Sequence, residues 1–202
     1  MASRARETVK TVGLALLLGL SLRVGVAQAY VVEGPSMEPT IVQPQRLFVL
    51  RAAYGLSVPF RRDAVVRWAD PGFGDVVVIE SPADGMDLVK RVVGLPGDVI
   101  EVRGGLLVRN GVPLEEHEVG ACEPEQQLDV EPDCRVFEER AGSLRWNTSR
   151  ADGELDYLDM GPVTVPDGHV FVMGDHRDRS NDSRAFGAIP MSRLRGRVLF
   201  ID

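Results

Sequence analysis

Three short segments hold most of the residues able to do covalent chemistry. The first is Gly34-Pro35-Ser36-Met37-Glu38-Pro39-Thr40, a serine set between two prolines with a glycine before it. Proline fixes its own φ and keeps the residue before it out of helix. Ser36 is therefore expected on a stiff, non-helical backbone that can present a hydroxyl nucleophile at a fixed angle. Read alone, the segment is an ordinary turn.

The second segment is Asp87-Leu88-Val89-Lys90-Arg91-Val92-Val93-Gly94-Leu95-Pro96-Gly97-Asp98. In a strand, Lys90 shares a face with Leu88 and Val92, while Val89 and Arg91 point the other way. An amine among aliphatic neighbours loses solvation and its pKa falls. At the ordinary value of about 10.4, fewer than about one lysine in a thousand is neutral at pH 7. A fall of about three units makes roughly a third neutral and able to take a proton from serine. Without a partner hydroxyl, the same residue is a strand lysine reaching for water.

The third segment is Gly174-Asp175-His176-Arg177-Asp178-Arg179-Ser180-Asn181-Asp182-Ser183-Arg184. Its carboxylates at 175, 178 and 182 raise the possibility of a calcium loop, but the D-x-D-x-D-G spacing is missing and basic groups intrude. An ion-paired scaffold beneath an active site fits better, with His176 a solvated loop histidine. No Cys/His cluster has zinc spacing, so neither a metal nor another cofactor is expected.

The elements that must position these groups are mostly strands. Arg46–Arg51, Asp75–Ile79, Leu88–Val93, Val99–Val102, Leu106–Val108, Val163–Val165, His169–Met173 and Arg197–Ile201 are short, rich in aliphatic residues and bounded by turn residues. Gly104-Gly105 and Asn110-Gly111 suit tight hairpins that need positive φ. The fold class is mostly β, an antiparallel core spanning residues 33–111 and 161–202, with residues 55–73 a surface excursion. Residues 112–160 are acidic, poorly periodic and hold both cysteines, and read as a small inserted β subdomain. Cys122 and Cys134 are the disulfide candidate, worth about 3 kcal/mol through restriction of the unfolded chain.

The amino terminus differs. Arg4, Arg6 and Lys10 precede the uninterrupted apolar run Thr11–Leu22, and the chain stays mostly apolar to Val32. Twelve residues suit the core of a signal peptide, with Ala27-Gln28-Ala29 as its cleavage site. The longer stretch, 11–32, would be about 33 Å as a helix and would cross a bilayer, with Arg23 reaching the outer interface. Either way residues 1–10 stay cytoplasmic and the rest is exported. Four residues from Val32 to Ser36 span at most about 14 Å, which would hold the serine near the lipid surface.

Taken together, the three segments and Gly74–Pro82 (GDVVVIESP) resemble the type I signal peptidases of bacteria, in the family's order behind one apolar run. The resemblance implies a signal-peptidase-type β fold and a Ser-Lys dyad, Ser36 as nucleophile and Lys90 as general base. It implies that Ser180 hydrogen-bonds and orients the lysine, that Asp182 and Arg184 form a structural ion pair, and that Gly34 and Met37 flank the nucleophile. Some relatives carry a serine at the position of Gly34 that helps to bind the oxyanion, leaving more to the Ser36 N–H here. His176 and Arg179 stand where asparagines are usual. Many relatives keep the anchor, so the expectation is a retained single span at 11–32. The partners would be exported preproteins and the lipid bilayer, with the catalytic domain on the extracytoplasmic side of the cell membrane.

Composition bounds the alternatives. The chain has 202 residues, 44% hydrophobic and 26% charged, which excludes disordered and collagen-like classes. Residues 33–202 hold 19 basic and 29 acidic groups, so nucleic acid is not an expected partner. A self-cleaving repressor-type protease would need an amino-terminal DNA-binding domain in place of the apolar run. The competing reading from another class is an anchored extracytoplasmic β module that binds a partner or calcium without catalysis.

Overall fold

The computed structural model describes residues 10, 11, 13, 27–57, 64–123, 133–151 and 159–201. Within them the chain forms β1 (Ala27–Val31), β2 (Arg46–Leu50), β3 (Gly55–Ser57), β4 (Ala64–Arg67), β5 (Val76–Glu80), β6 (Asp87–Gly94), β7 (Val99–Arg103) and β8 (Leu106–Arg109). There follow β9 (Val112–Pro113), β10 (Glu115–Ala121), β11 (Cys134–Ala141), β12 (Leu144–Ala151), β13 (Met160–Thr164) and β14 (His169–Met173). A one-turn helix, Ser183–Phe186, precedes β15 (Ile189–Pro190) and β16 (Leu194–Ile201).

All ladders between these strands are antiparallel. The central sheet runs β1-β2-β16-β5-β6-β14-β15, a second runs β13-β7-β8-β9, and β10-β11-β12 form a third. β3 and β4 pair only with each other. Alternation along β5 builds two layers. Val77 and Ile79 pack with Val92, Val170 and Val172 on one side of the sheet, and Val78 packs with Leu47, Val49, Met37 and Ile41 on the other. These side chains are buried, each contributing about 1.5–3 kcal/mol of transfer free energy. Gly104 and Gly105, with φ of 56° and 76°, close the β7–β8 hairpin; Asn110 and Gly111, at 54° and 78°, close β8–β9.

One expectation needs correction. A helix over residues 11–32 does not hold at its carboxyl end. Ala27–Val31 is β1, with Ala29 opposite Phe48 and Tyr30 opposite Leu47. The physical reason is burial: Val32 and, in part, Tyr30 pack into the cluster of Leu47, Val49 and Met37, which a continuing membrane helix could not reach. Of the expected span, residues 12 and 14–26 lie outside the described residues; among the described residues no helix is long and apolar enough to cross a membrane. Residues 112–160 hold strands of seven and eight residues in β10, β11 and β12, in keeping with the small β subdomain expected there.

Candidate active site

Ser36 lies in the turn between β1 and β2. Glu38 N–H donates to Pro35 O at 2.9 Å and Ile41 N–H to Met37 O at 2.9 Å, so the segment is a wound, hydrogen-bonded turn. Met37, Glu38 and Ile41 are buried beneath it, anchoring the backbone on the core and leaving the serine half-exposed. Gly34 enters this turn at φ +96°, a conformation that disfavours side chains, and its N–H donates to Gln43 Oε1 at 2.8 Å. No hydroxyl is available from this position.

Lys90 is on β6, opposite Val77, and only 2% exposed. Its neighbours Leu88 and Val92 belong to the aliphatic cluster around Val77. Lys90 Nζ donates to Ser36 Oγ at 2.7 Å and to Val89 O at 2.9 Å. Burial pulls the amine down to about 8; Asp182 and Asp175 oppose that fall and Arg184 adds to it. At pH 7 about a tenth of such lysines are neutral.

The 174–184 segment packs around this pair. Gly174 allows the closest approach: a Cβ there would stand 2.3 Å from Ser36 O and 2.2 Å from Ser180 Oγ. Gly174 N–H donates to Asp182 Oδ2 at 3.0 Å. Asp182 accepts from Arg184 Nε and Nη2, each at 2.8 Å, and caps the short helix through Arg184 N–H at 3.2 Å. Burial would raise the Asp182 carboxyl, but Arg184 and the Gly174 N–H hold it below the usual range.

Two residues here differ from expectation. Ser180 Oγ is wedged against Gly174 and makes no hydrogen bond to Lys90, whose donors run to Ser36 Oγ and Val89 O. Ser180 lies beside Asp182 instead and helps to keep that carboxylate ionised. His176 is not a solvated loop residue. It is buried, with Nε2 3.2 Å from Asp178 Oδ1 and Nδ1 3.8 Å from Glu38 Oε2. Its N–H donates to Ser36 O at 3.2 Å.

The carboxylates that suggested calcium diverge. Asp175 faces Arg91, Asp178 faces His176 and Asp182 faces Arg184. Asp175 and Asp182 are each taken up by an arginine and Asp178 by a buried histidine of this chain, which removes the basis for the calcium-binding reading.

The residue-by-residue reading missed two buried ion pairs. Arg91 Nε and Nη2 donate to Asp175 Oδ1 and Oδ2 at 2.8 and 2.6 Å, while Nη1 donates to Gly74 O at 2.9 Å. The guanidinium also lies over Trp146 of β12, 5.1 Å from the ring centroid. Arg177 pairs with Glu139 of β11, which accepts from Trp146 Nε1 at 3.1 Å as well. The available signal was an arginine beside Lys90 in an aliphatic strand, which had to leave the sheet toward a carboxylate. Cys122 and Cys134 are joined by a disulfide between the end of β10 and the start of β11.

A serine hydroxyl held against a buried amine of depressed pKa is an arrangement suited to a hydrolase that works through an activated serine. Comparison with known proteins agrees with this class. The family described as "Signal peptidase, peptidase S26" matches residues 5–201. A signal peptidase I of Bacillus licheniformis is 33% identical over 96% of this chain and 87% of its own length. A probable signal peptidase I-1 of a Synechocystis strain is 32% identical over 96% of this chain and 81% of its own. Signal peptidase I S of Bacillus subtilis is 32% identical over the same share of this chain and 87% of its own. The chain belongs to the signal peptidase family, peptidase S26. It is a serine endopeptidase.

Proposed function

We propose that this protein removes amino-terminal signal peptides from exported preproteins, with Ser36 as nucleophile and Lys90 as general base. The observation that carries the reading is the 2.7 Å contact between Lys90 Nζ and Ser36 Oγ, with the amine 2% exposed. When the amine is neutral its lone pair faces the serine proton. Ser36 Oγ then attacks the scissile carbonyl while Lys90 accepts that proton. Donors beside the nucleophile, the Ser36 N–H among them, stabilise the oxyanion, an effect typically worth about 3–4 kcal/mol. As the C–N bond breaks, Lys90 gives its proton to the leaving amine, and the signal peptide remains as an ester on Ser36. Water, deprotonated in turn by Lys90, hydrolyses the ester.

The membrane arrangement belongs to the same proposal. An anchor in the apolar run before β1, with Lys10 and its neighbours cytoplasmic, places β1 and everything after it outside. From Ala27, where β1 begins, nine residues lead to Ser36, at most about 32 Å extended. The core of 33–111 and 161–202 would carry catalysis, and 112–160 would buttress it. The test is cleavage of a purified preprotein by the detergent-solubilised protein, with sequencing of the new amino terminus. Cleavage after a small residue by the parent, absent in Ser36→Ala and in Lys90→Ala, is the expected result; full activity in Lys90→Ala would end the dyad reading.

A further inference from the structure

The edge of β12 that faces away from β11 is occupied by the nucleophile turn and the 175–178 loop. Residues at alternate positions along a strand direct their backbone groups to the same edge. On this edge Asn147 O accepts from Thr40 Oγ1 at 3.2 Å, Ser149 N–H donates to Asp175 O at 2.9 Å, Ser149 O accepts from Arg177 N–H at 2.8 Å, and Ala151 N–H donates to Asp178 Oδ2 at 2.7 Å. Ser149 and His176 form a parallel bridge. The 175–178 loop and the nucleophile turn are thus laid against the third sheet as an irregular extra strand.

Ser149 is the centre of this edge. It is fully buried, and its three polar groups all go to these two segments, the third being Oγ, which donates to Glu38 O at 3.0 Å. Glu38 is two residues past the nucleophile. Asp175 and Arg177 flank His176, whose N–H holds Ser36 O. Ser36 is therefore gripped from both sides by bonds that converge on one residue, which itself touches neither Ser36 Oγ nor Lys90 Nζ.

We propose that Ser149 is a positioning residue for peptide cleavage, its hydroxyl tying the nucleophile turn to the 175–178 loop so that Ser36 stays aligned with Lys90. The inference rests on the Ser-Lys reading. It assigns the acidic insertion a task in catalysis: its sheet is the template on which two loops from distant parts of the chain are registered. A displacement of about 1 Å at a reacting atom can cost about a hundredfold in rate, so a single buried tie at this distance is enough to matter.

The test compares Ser149→Ala and the isosteric pair Ser149→Thr and Ser149→Val in the full chain, measuring kcat and KM for a preprotein. Leu107→Ala, in the second sheet, is the control for lost stability alone. The expected result is a kcat at least about tenfold lower in Ser149→Ala, with KM within about twofold. Ser149→Thr, which keeps the hydroxyl, should exceed Ser149→Val in kcat by a similar factor, even where Ser149→Ala folds poorly. Equal kcat in the Thr and Val variants, or a loss in Ser149→Ala matched by Leu107→Ala at the same fall in Tm, overturns the proposal. Ser36→Ala in the same assay separates the two claims: its inactivity beside a fully active Ser149→Ala would leave the dyad standing and remove only the positioning role.

Discussion

Gly174 and Ser36 touch through their backbones, so closely that a Cβ on Gly174 would come within 2.3 Å of the Ser36 carbonyl oxygen. The loop carrying Asp175 and Asp182 and the turn carrying the nucleophile are thereby stacked without an intervening side chain. Ser36 O also accepts the His176 N–H at 3.2 Å, so both restraints act on the peptide unit that orients the serine.

Gly174→Ala should therefore be a structural and catalytic lesion at once. The added methyl group meets backbone on one side and Ser180 on the other, and overpacking of this kind costs about 1–3 kcal/mol. The expected outcome is a lower midpoint in urea unfolding and a fall in kcat larger than that of Gly161→Ala, whose added Cβ would meet nothing within 4 Å.

Lys90→Met should separate activity from stability. The substitution keeps the length and apolar stem and removes a charge that burial disfavours. Cleavage should fall by at least about a thousandfold, while chemical denaturation at pH 7 shows a stability equal to or above that of the parent.

The same lysine sets a pH dependence of stability. Its pKa is about 8 in the folded protein against 10.5 for the unperturbed group. The unfolded chain binds more protons between those values, so this group makes folding more favourable as pH rises from about 8 to 10.5. Its destabilising effect is present in full below about 8 and gone above 10.5. Measured across this window, the unfolding free energy of the parent should rise relative to that of Lys90→Met as pH rises.

Breaking the Arg91–Asp175 pair should cost far more than an exposed ion pair would. Both side chains are buried, at 7% and 1% exposure, and removal of one partner leaves the other charge without compensation. Arg91→Ala is expected to lose about 3–5 kcal/mol in chemical denaturation. Arg140→Ala, whose partner Glu138 lies on the surface of the third sheet, should lose less than about 1 kcal/mol.

How much of this was readable from sequence followed the range of the interactions involved. The strands around Val77, Val92 and Val172 announce themselves by local composition and period, and the tight turns at 104–105 and 110–111 by residues that accept positive φ. Ser36 and Lys90 stood out because prolines and an aliphatic strand mark unusual surroundings for a hydroxyl and an amine. His176 was misread because the groups that bury it, Glu38, Ser149 and Asp178, come from three segments, two of them far away in the chain. Ser180 was assigned by likeness to relatives, and the packing against Gly174 directs its hydroxyl elsewhere. The β1 strand was hidden inside an apolar run, where length and hydropathy favour helix and only the pairing with β2 favours a strand. The ladder of β10–β12 could not be seen for a related reason: charged positions that interrupt the apolar pattern are compensated across strands, as in the buried pair of Arg150 with Glu116.

The central claim is that Lys90 loses its charge beside Ser36, and the direct measurement is the titration of its ε-amine. NMR of selectively labelled lysine in the full chain, set beside the pH dependence of single-turnover preprotein cleavage, reads both quantities. A lysine signal that titrates at about 8 and is absent in Lys90→Met is expected, with the cleavage rate rising through the same midpoint. A Lys90 that titrates near 10.5, or a rate that does not change on passing through pH 8, would contradict it.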